Sequence, residues 1–206
     1  MIIDFHTHVY PDRIAHKATR ATCDFYGLDT DQTGTVDQLL TKGRAAGIDR
    51  FVLLPVAVHA DGVRQVNEFI ARQVKEHAEF YGFGTVHPAM EDMPGELDYI
   101  CAEGLLGVKL HPDIQGFKID DYRCLKIYEL CEQEGLPILM HTGDNRYDYS
   151  NPNRLLPILE IYKNLTIIGA HFGGWSIWDE APDVYAGIDN FYVDCSSSFP
   201  WISKET

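Results

Sequence analysis

Seven short apolar runs, most of them unbroken rather than alternating with polar residues, set the tightest limit on how this chain folds. They are Ile2–His8, Phe51–Val56, Phe80–Val86, Leu106–His111, Pro137–Thr142, Leu165–His171 and Phe191–Cys195. A strand with one wet face alternates apolar and polar side chains. A continuous apolar run suits a parallel strand covered on both faces. After a long first connection the runs begin about every 25 to 31 residues, the length of a strand plus a returning helix.

The intervening stretches carry helical signals. Thr35-Val36-Asp37-Gln38 has the form of a capping box, opening a helix to Ala46 with Gly47 as its stop. Asp61 to His77 places Val63, Val66, Phe69, Ile70 and Val74 at helical spacing. Pro94 suits the first turn of a helix to Ala102, and Asp120 or Asp121 caps one to Glu134, closed by Gly135. Pro157 starts or kinks a helix to Tyr162, and Trp175 to Ala186 reads as helical although Pro182 interrupts it. No linker or low-complexity tract divides residues 1–206, which read as a single α/β domain, either an open doubly wound sheet or a closed (β/α) barrel.

The formal charge of −14, from 17 basic and 31 acidic residues, argues against a nucleic-acid or anionic-membrane partner, because phosphate binding needs clustered Lys and Arg. The sequence shows no basic leader and no long apolar span, and its five cysteines are odd in number without a C-x-x-C pair. A reduced, cytoplasmic setting is therefore expected. No phosphate-binding glycine loop follows any strand, so a nucleotide cofactor is not expected.

The nine histidines sort unevenly. His6, His8, His87, His111, His141 and His171 fall at or just past the C-terminal ends of candidate strands, and His59 lies just beyond another. In a parallel barrel those ends share one rim, where active sites are built. Strand side chains alternate, so Asp4, His6 and His8 point to one face about 7 Å apart. The two imidazoles can tilt toward one ion, with Asp4 orienting an imidazole from behind. His141 and His171 then supply further ligands or a base. Nitrogen-rich sites of this kind suit Zn²⁺, with Fe²⁺, Mn²⁺ or Co²⁺ as alternatives.

The stretches DFHTHVYPD, GVKLHPD, ILMHTG and IIGAHFGG resemble, in this order, the amidohydrolase superfamily, and within it the amidohydrolase-related branch of metal-dependent TIM-barrel hydrolases and decarboxylases. The resemblance implies a (β/α)8 barrel of which seven β-α units are visible. His6, His8 and His141 would bind a divalent metal, one ion or two. His171 would hold a second metal or act in acid-base chemistry. Lys109, where some relatives carry a carbamylated lysine, is better suited here to an anionic substrate group, and shares its strand face with His111. The alternative for Lys109 is a structural lysine with a packed stem. The superfamily's metal-binding aspartate ends the eighth strand. A barrel of about 250 residues would place that strand past residue 206, so the eighth unit is expected to be missing and Asp194 is the available stand-in.

The reaction implied is hydrolysis of an amide, ester or lactone in a small molecule. Non-oxidative decarboxylation is the alternative on the same ligands, and a metal-binding but silent barrel is a third. Arg146, in the polar loop HTGDNRYDYSNPN, is placed to clamp a substrate carboxylate unless it is simply solvated. Trp175 either walls an aromatic substrate or, at i, i+3 from Trp178, packs in a helix. Two unpaired strand edges would favour a homo-oligomer.

Overall fold

A computed structural model describes residues 1–203 of the chain; the last three positions of the 1–206 span lie outside the described residues. The strands are β1 (Ile3–Thr7), β2 (Arg50–Leu53), β3 (Phe80–Gly82), β4 (Gly84–Thr85), β5 (Val108–Leu110), β6 (Ile138–Met140), β7 (Ile167–Gly169) and β8 (Phe191–Val193). Each lies within a run expected from sequence except that β2 begins one residue early, at Arg50, and the third run is split at Phe83 into β3 and β4. All pairings are parallel and follow chain order, β1-β2-β3 and β4-β5-β6-β7-β8. The split run joins the two groups: Phe83 N–H donates to Leu53 at 3.0 Å, and Gly84 N–H donates to Gly107 at 2.8 Å.

β1 and the segment after β8 meet. His6 on β1 lies 2.7 Å from Asp194, the residue following β8. Seven staves laid flat would hold those positions about 29 Å apart. The sheet has therefore curled round on itself, bringing the C-terminal ends of distant strands to one rim. The side chains of Ile3, Phe5, Tyr192 and Val193, on β1 and β8, are exposed.

The helices are α1 (Asp12–Tyr26), α2 (Val36–Ala45), α3 (Val63–Glu76), α4 (Met93–Ala102), α5 (Pro112–Gln115), α6 (Tyr122–Glu134), α7 (Pro152–Ile161) and α8 (Ala181–Tyr185). Thr35 caps α2 by accepting from Gln38 N–H, Asp121 caps α6 by accepting from Arg123 N–H, and Gly135 ends α6 in the left-handed conformation. Leu97, Ile100, Ile127, Tyr128, Leu155 and Ile158 of α4, α6 and α7 pack on Val108, Leu110, Ile138 and Ile167 in one apolar core. Burying a Leu or Ile side chain contributes roughly 1.5–3 kcal/mol, which makes this layer the main support of the rim.

Two expectations need correction, and one helix was not anticipated. The long first connection contains α1, whose small side chains Ala18, Ala21 and Thr22 sit with Phe25 at helical spacing and wall the site cavity. Pro157 does not start a helix but lies inside α7, which opens five residues earlier at Pro152. The 175–186 stretch is helical only over Ala181–Tyr185, because Ser176 adopts a left-handed φ of 62° and Pro182 takes the first turn.

Candidate metal centre

His6, His8, His111, His141 and His171 all line one cavity of about 500 Å³ at the rim. His59 and His87, also past strand ends, are not among its lining residues. The ring centroids of His6 lie 5.1 Å from those of His8 and His171, and His141 is 4.9 Å from His171. Burial is the leading cause of depressed imidazole basicity here. It brings His8 and His171 to about 4 and holds His6 and His141 well below their usual value. At neutral pH all four rings are neutral.

Neutral rings carry one proton each, and the structure shows where four of those protons go. His8 Nδ1–H donates to the Leu54 carbonyl at 2.6 Å. His141 Nε2–H donates to the Gly143 carbonyl at 3.1 Å, and His171 Nδ1–H to the Ser196 carbonyl at 2.8 Å. His6 Nδ1–H donates to the Asp194 carboxylate at 2.7 Å. Each ring is left with a bare lone pair on its other nitrogen. Two of those lone pairs, His141 Nδ1 and His171 Nε2, face one another at 3.1 Å. With both protons spent on carbonyls, two acceptors in contact repel unless a cation lies beside them. Imidazoles anchored through one nitrogen with the other exposed are the arrangement that orients metal ligands. The donor set of His6, His171 and Asp194, with ligand atoms all within 4.8 Å of one another, fits a divalent ion.

Asp194 is the residue whose position the sequence left open. Burial alone would raise its pKa, but the hydrogen bonds from His6 and Ser196 hold it well below the usual carboxylate range. It also accepts from the backbone N–H groups of His171 at 3.2 Å and Ser196 at 2.9 Å, and from Ser196 Oγ at 2.5 Å. The carboxylate that orients a histidine ring is thus Asp194. Asp4, expected in that role, instead accepts from the backbone N–H of His6 at 3.2 Å. Ser196, not foreseen from sequence, lies 3.0 Å from His6 Nδ1 and 2.9 Å from His171 Nδ1. Its only sequence signal is its place two residues past the aspartate that ends the last strand.

His171 is held in a strained backbone conformation by its contacts to Asp194 and Ser196. His171 and Phe172 adopt φ of 60° and 53°, a region that costs non-glycine residues of order 1–3 kcal/mol each. Gly143, at φ 84°, permits the approach of the loops after β6 and β7: a Cβ there would lie 2.6 Å from the backbone carbon of Gly174. That approach brings His141 and His171 together.

Lys109 on β5 is fully buried, and its Nζ has no hydrogen-bond partner among the described residues. Burial lowers it to about 7. Trp175 lines the cavity 4.9 Å from Tyr26, whereas Trp178 turns away and donates to the His171 carbonyl at 2.8 Å. Arg146 is not at the cavity surface. Its bidentate fork closes on Asp144, at 2.7 and 2.9 Å, and its guanidinium sits over Phe25 and Tyr147. The carboxylate it clamps belongs to its own chain. Among the described residues, no Lys, Arg, Asp or Glu lines the cavity.

Residues 3–204 match the family model described as amidohydrolase. The chain belongs to the amidohydrolase family. Solved structures agree with the barrel. An uncharacterized TIM-barrel protein of Bordetella bronchiseptica superposes with a TM-score of 0.76 at 21% identity, over 94% of this chain and 74% of that one. A probable 2-pyrone-4,6-dicarboxylic acid hydrolase of Acinetobacter baumannii, with citric acid bound, gives 0.64 at 16%, over 95% and 70%. A 5-carboxyvanillate decarboxylase of Novosphingobium aromaticivorans, in complex with manganese, gives 0.65 at 16%, over 84% and 65%. No curated protein matches the chain significantly. This amidohydrolase-family chain therefore has the TIM-barrel fold. None of its described helices is long and apolar enough to cross a membrane.

Proposed function

We propose that the chain is a metal-dependent hydrolase acting on an amide, ester or lactone bond of a small molecule. The observation that carries this reading is the set of four neutral imidazoles, each anchored through one nitrogen and bare at the other, around the ionised Asp194. His6, His8 and His141 are the proposed metal ligands, with His171 or Asp194 completing the set. Zn²⁺ is the ion we favour from the nitrogen-rich donors. Such an ion, when bound, acidifies water and stabilises an oxyanion.

The protein's own groups supply the rest. Asp194 accepts the proton released from the attacking water and gives it up to the leaving group through His171, whose bare Nε2 takes that proton and passes it on. Lys109 neutralises an anionic substrate group. His111 and Trp175 shape the wall. Because none of the described residues that line the cavity is charged, Lys109 would act from behind the wall, and the favoured substrate has one anionic end at most.

A second reading, non-oxidative decarboxylation, is favoured by that same apolar and aromatic wall, which suits a ring bearing a single carboxylate. In it a C–C bond breaks, CO₂ leaves, and a proton is delivered to the ring carbon. Metal-loaded protein incubated separately with lactones and with carboxylated aromatics separates the two. Acid release from lactones supports hydrolysis, CO₂ release supports the lyase, and neither product with metal retained leaves a silent barrel. For the active enzyme, His171→Ala is expected to lower kcat by about 10²- to 10⁴-fold while metal content falls much less. Loss of metal in proportion to activity would make His171 a ligand and not a proton carrier.

A further inference from the structure

The cavity holds a hydrogen-bond chain with a fixed direction. It starts at the backbone amide of Ile114, which can only donate. That amide donates to His111 Nδ1 at 3.3 Å, with His111 capping α5. A ring that accepts at Nδ1 carries its proton on Nε2. His111 Nε2 lies 2.6 Å from the Tyr26 hydroxyl oxygen, so the ring donates and Tyr26 accepts. A charged His111 is excluded by the same contact, since an Nδ1–H would oppose the Ile114 N–H.

The ring cannot turn over to reverse this order. It stacks flat on His141, at 4.1 Å with planes 6° apart. The backbone N–H of His111 donates to Gln115 Oε1 at 2.8 Å, and Gln115 Nε2 ties that cap to the carbonyls of Ala57 and Val86. The commitment of both His111 nitrogens also removes His111 from the second group of possible ion ligands, His111, Asp113 and His141.

Tyr26 has one proton of its own. Its oxygen is occupied by His111, and no described residue accepts from it. The ring lines the cavity shared with His6, His8, His141 and His171. We propose that Tyr26 directs its hydroxyl proton into the cavity as a hydrogen-bond donor to a carbonyl or carboxylate oxygen of the substrate, with His111 as the positioning residue that fixes this direction. A donor preset toward an oxygen that gains charge during reaction stabilises the transition state more than the ground state. The need for a substrate oxygen rests on the hydrolase reading above; the direction of the chain does not.

Two measurements on the full chain test this. Nitrogen NMR of ¹⁵N-histidine-labelled protein should show His111 as the Nε2–H tautomer, in Tyr26→Phe as well as in wild type. An Nδ1–H tautomer in wild type overturns the proposal. In whichever assay registers turnover, Tyr26→Phe, which keeps the ring, should lower kcat by about 10²-fold, with metal content unchanged. His111→Asn, which can still cap α5 but falls short of Tyr26, should cost a similar factor. Wild-type kcat in Tyr26→Phe would also overturn it. The tautomer is read without metal or turnover, so a chain inactive on both substrate classes removes the hydrolase reading and leaves the NMR result to decide this one.

Discussion

Alanine at position 141 is expected to weaken divalent-ion affinity by about 10²-fold or more and to abolish turnover. Structural zinc sites release roughly 10–16 kcal/mol over four ligands, so one lost imidazole removes about 3 kcal/mol. His141 is the most exacting of the proposed ligands because its bare Nδ1 faces the bare Nε2 of His171 at 3.1 Å. Removing the ring relieves that repulsion, so the metal-free variant should tolerate the change better than an ordinary core truncation. The signature is a split: little loss of metal-free Tm, but loss of the Tm increase that metal gives the wild type. His6→Ala should behave alike in affinity, while His16→Ala, on the exposed face of α1, should bind metal as wild type does. Chelator competition and thermal melts with and without Zn²⁺ or Mn²⁺ read both quantities.

Lys109→Met should do the opposite to stability. The amine is fully buried without a partner among the described residues and lies near 7 rather than 10.5. That displacement corresponds to about 4 kcal/mol at pH 7, so the metal-free variant should melt on the order of 10 °C higher. The sign with pH follows from proton counting. Between pH 7 and 10.5 the unfolded chain holds a proton that the folded chain has released, so wild-type stability rises through that window. The difference between variant and wild type is therefore full below pH 7 and about half as large by pH 9. Turnover should be lost at every pH, because the variant has no group to neutralise an anionic substrate end. A variant no more stable than wild type would mean that the amine is paired or solvated.

The fold was legible because burial on both faces leaves a plain mark: unbroken runs such as Phe51–Val56 and Pro137–Thr142 cover β2, apart from its first residue Arg50, and β6. The histidines were legible because strand ends in a parallel barrel converge. What escaped the sequence was whatever depends on contacts between distant segments. Asp194 lies 188 residues from His6, and no local pattern says which way its carboxylate turns. Asp4, two residues from His6, looked like the better partner but bonds the backbone. Arg146 has the chemistry of a substrate clamp, yet Asp144, two residues away, satisfies it first. α1, absent from the sequence reading, sets Ala18, Ala21, Thr22 and Phe25 at helical spacing on its cavity side. Asp12 in its first turn and Gly27 at its end, in the left-handed conformation, were the signals present.

The central claim is that His6, His8, His141 and His171 share a cation at the rim of the barrel. An anomalous-scattering map from crystals grown with Zn²⁺ or Mn²⁺ tests it most directly. The account predicts one strong peak, or two, within bonding distance of His6, His8 and His141, with Asp194 or His171 completing the shell. A map featureless at the rim, with the His141 and His171 rings turned so that an N–H of one donates to the other, would contradict it.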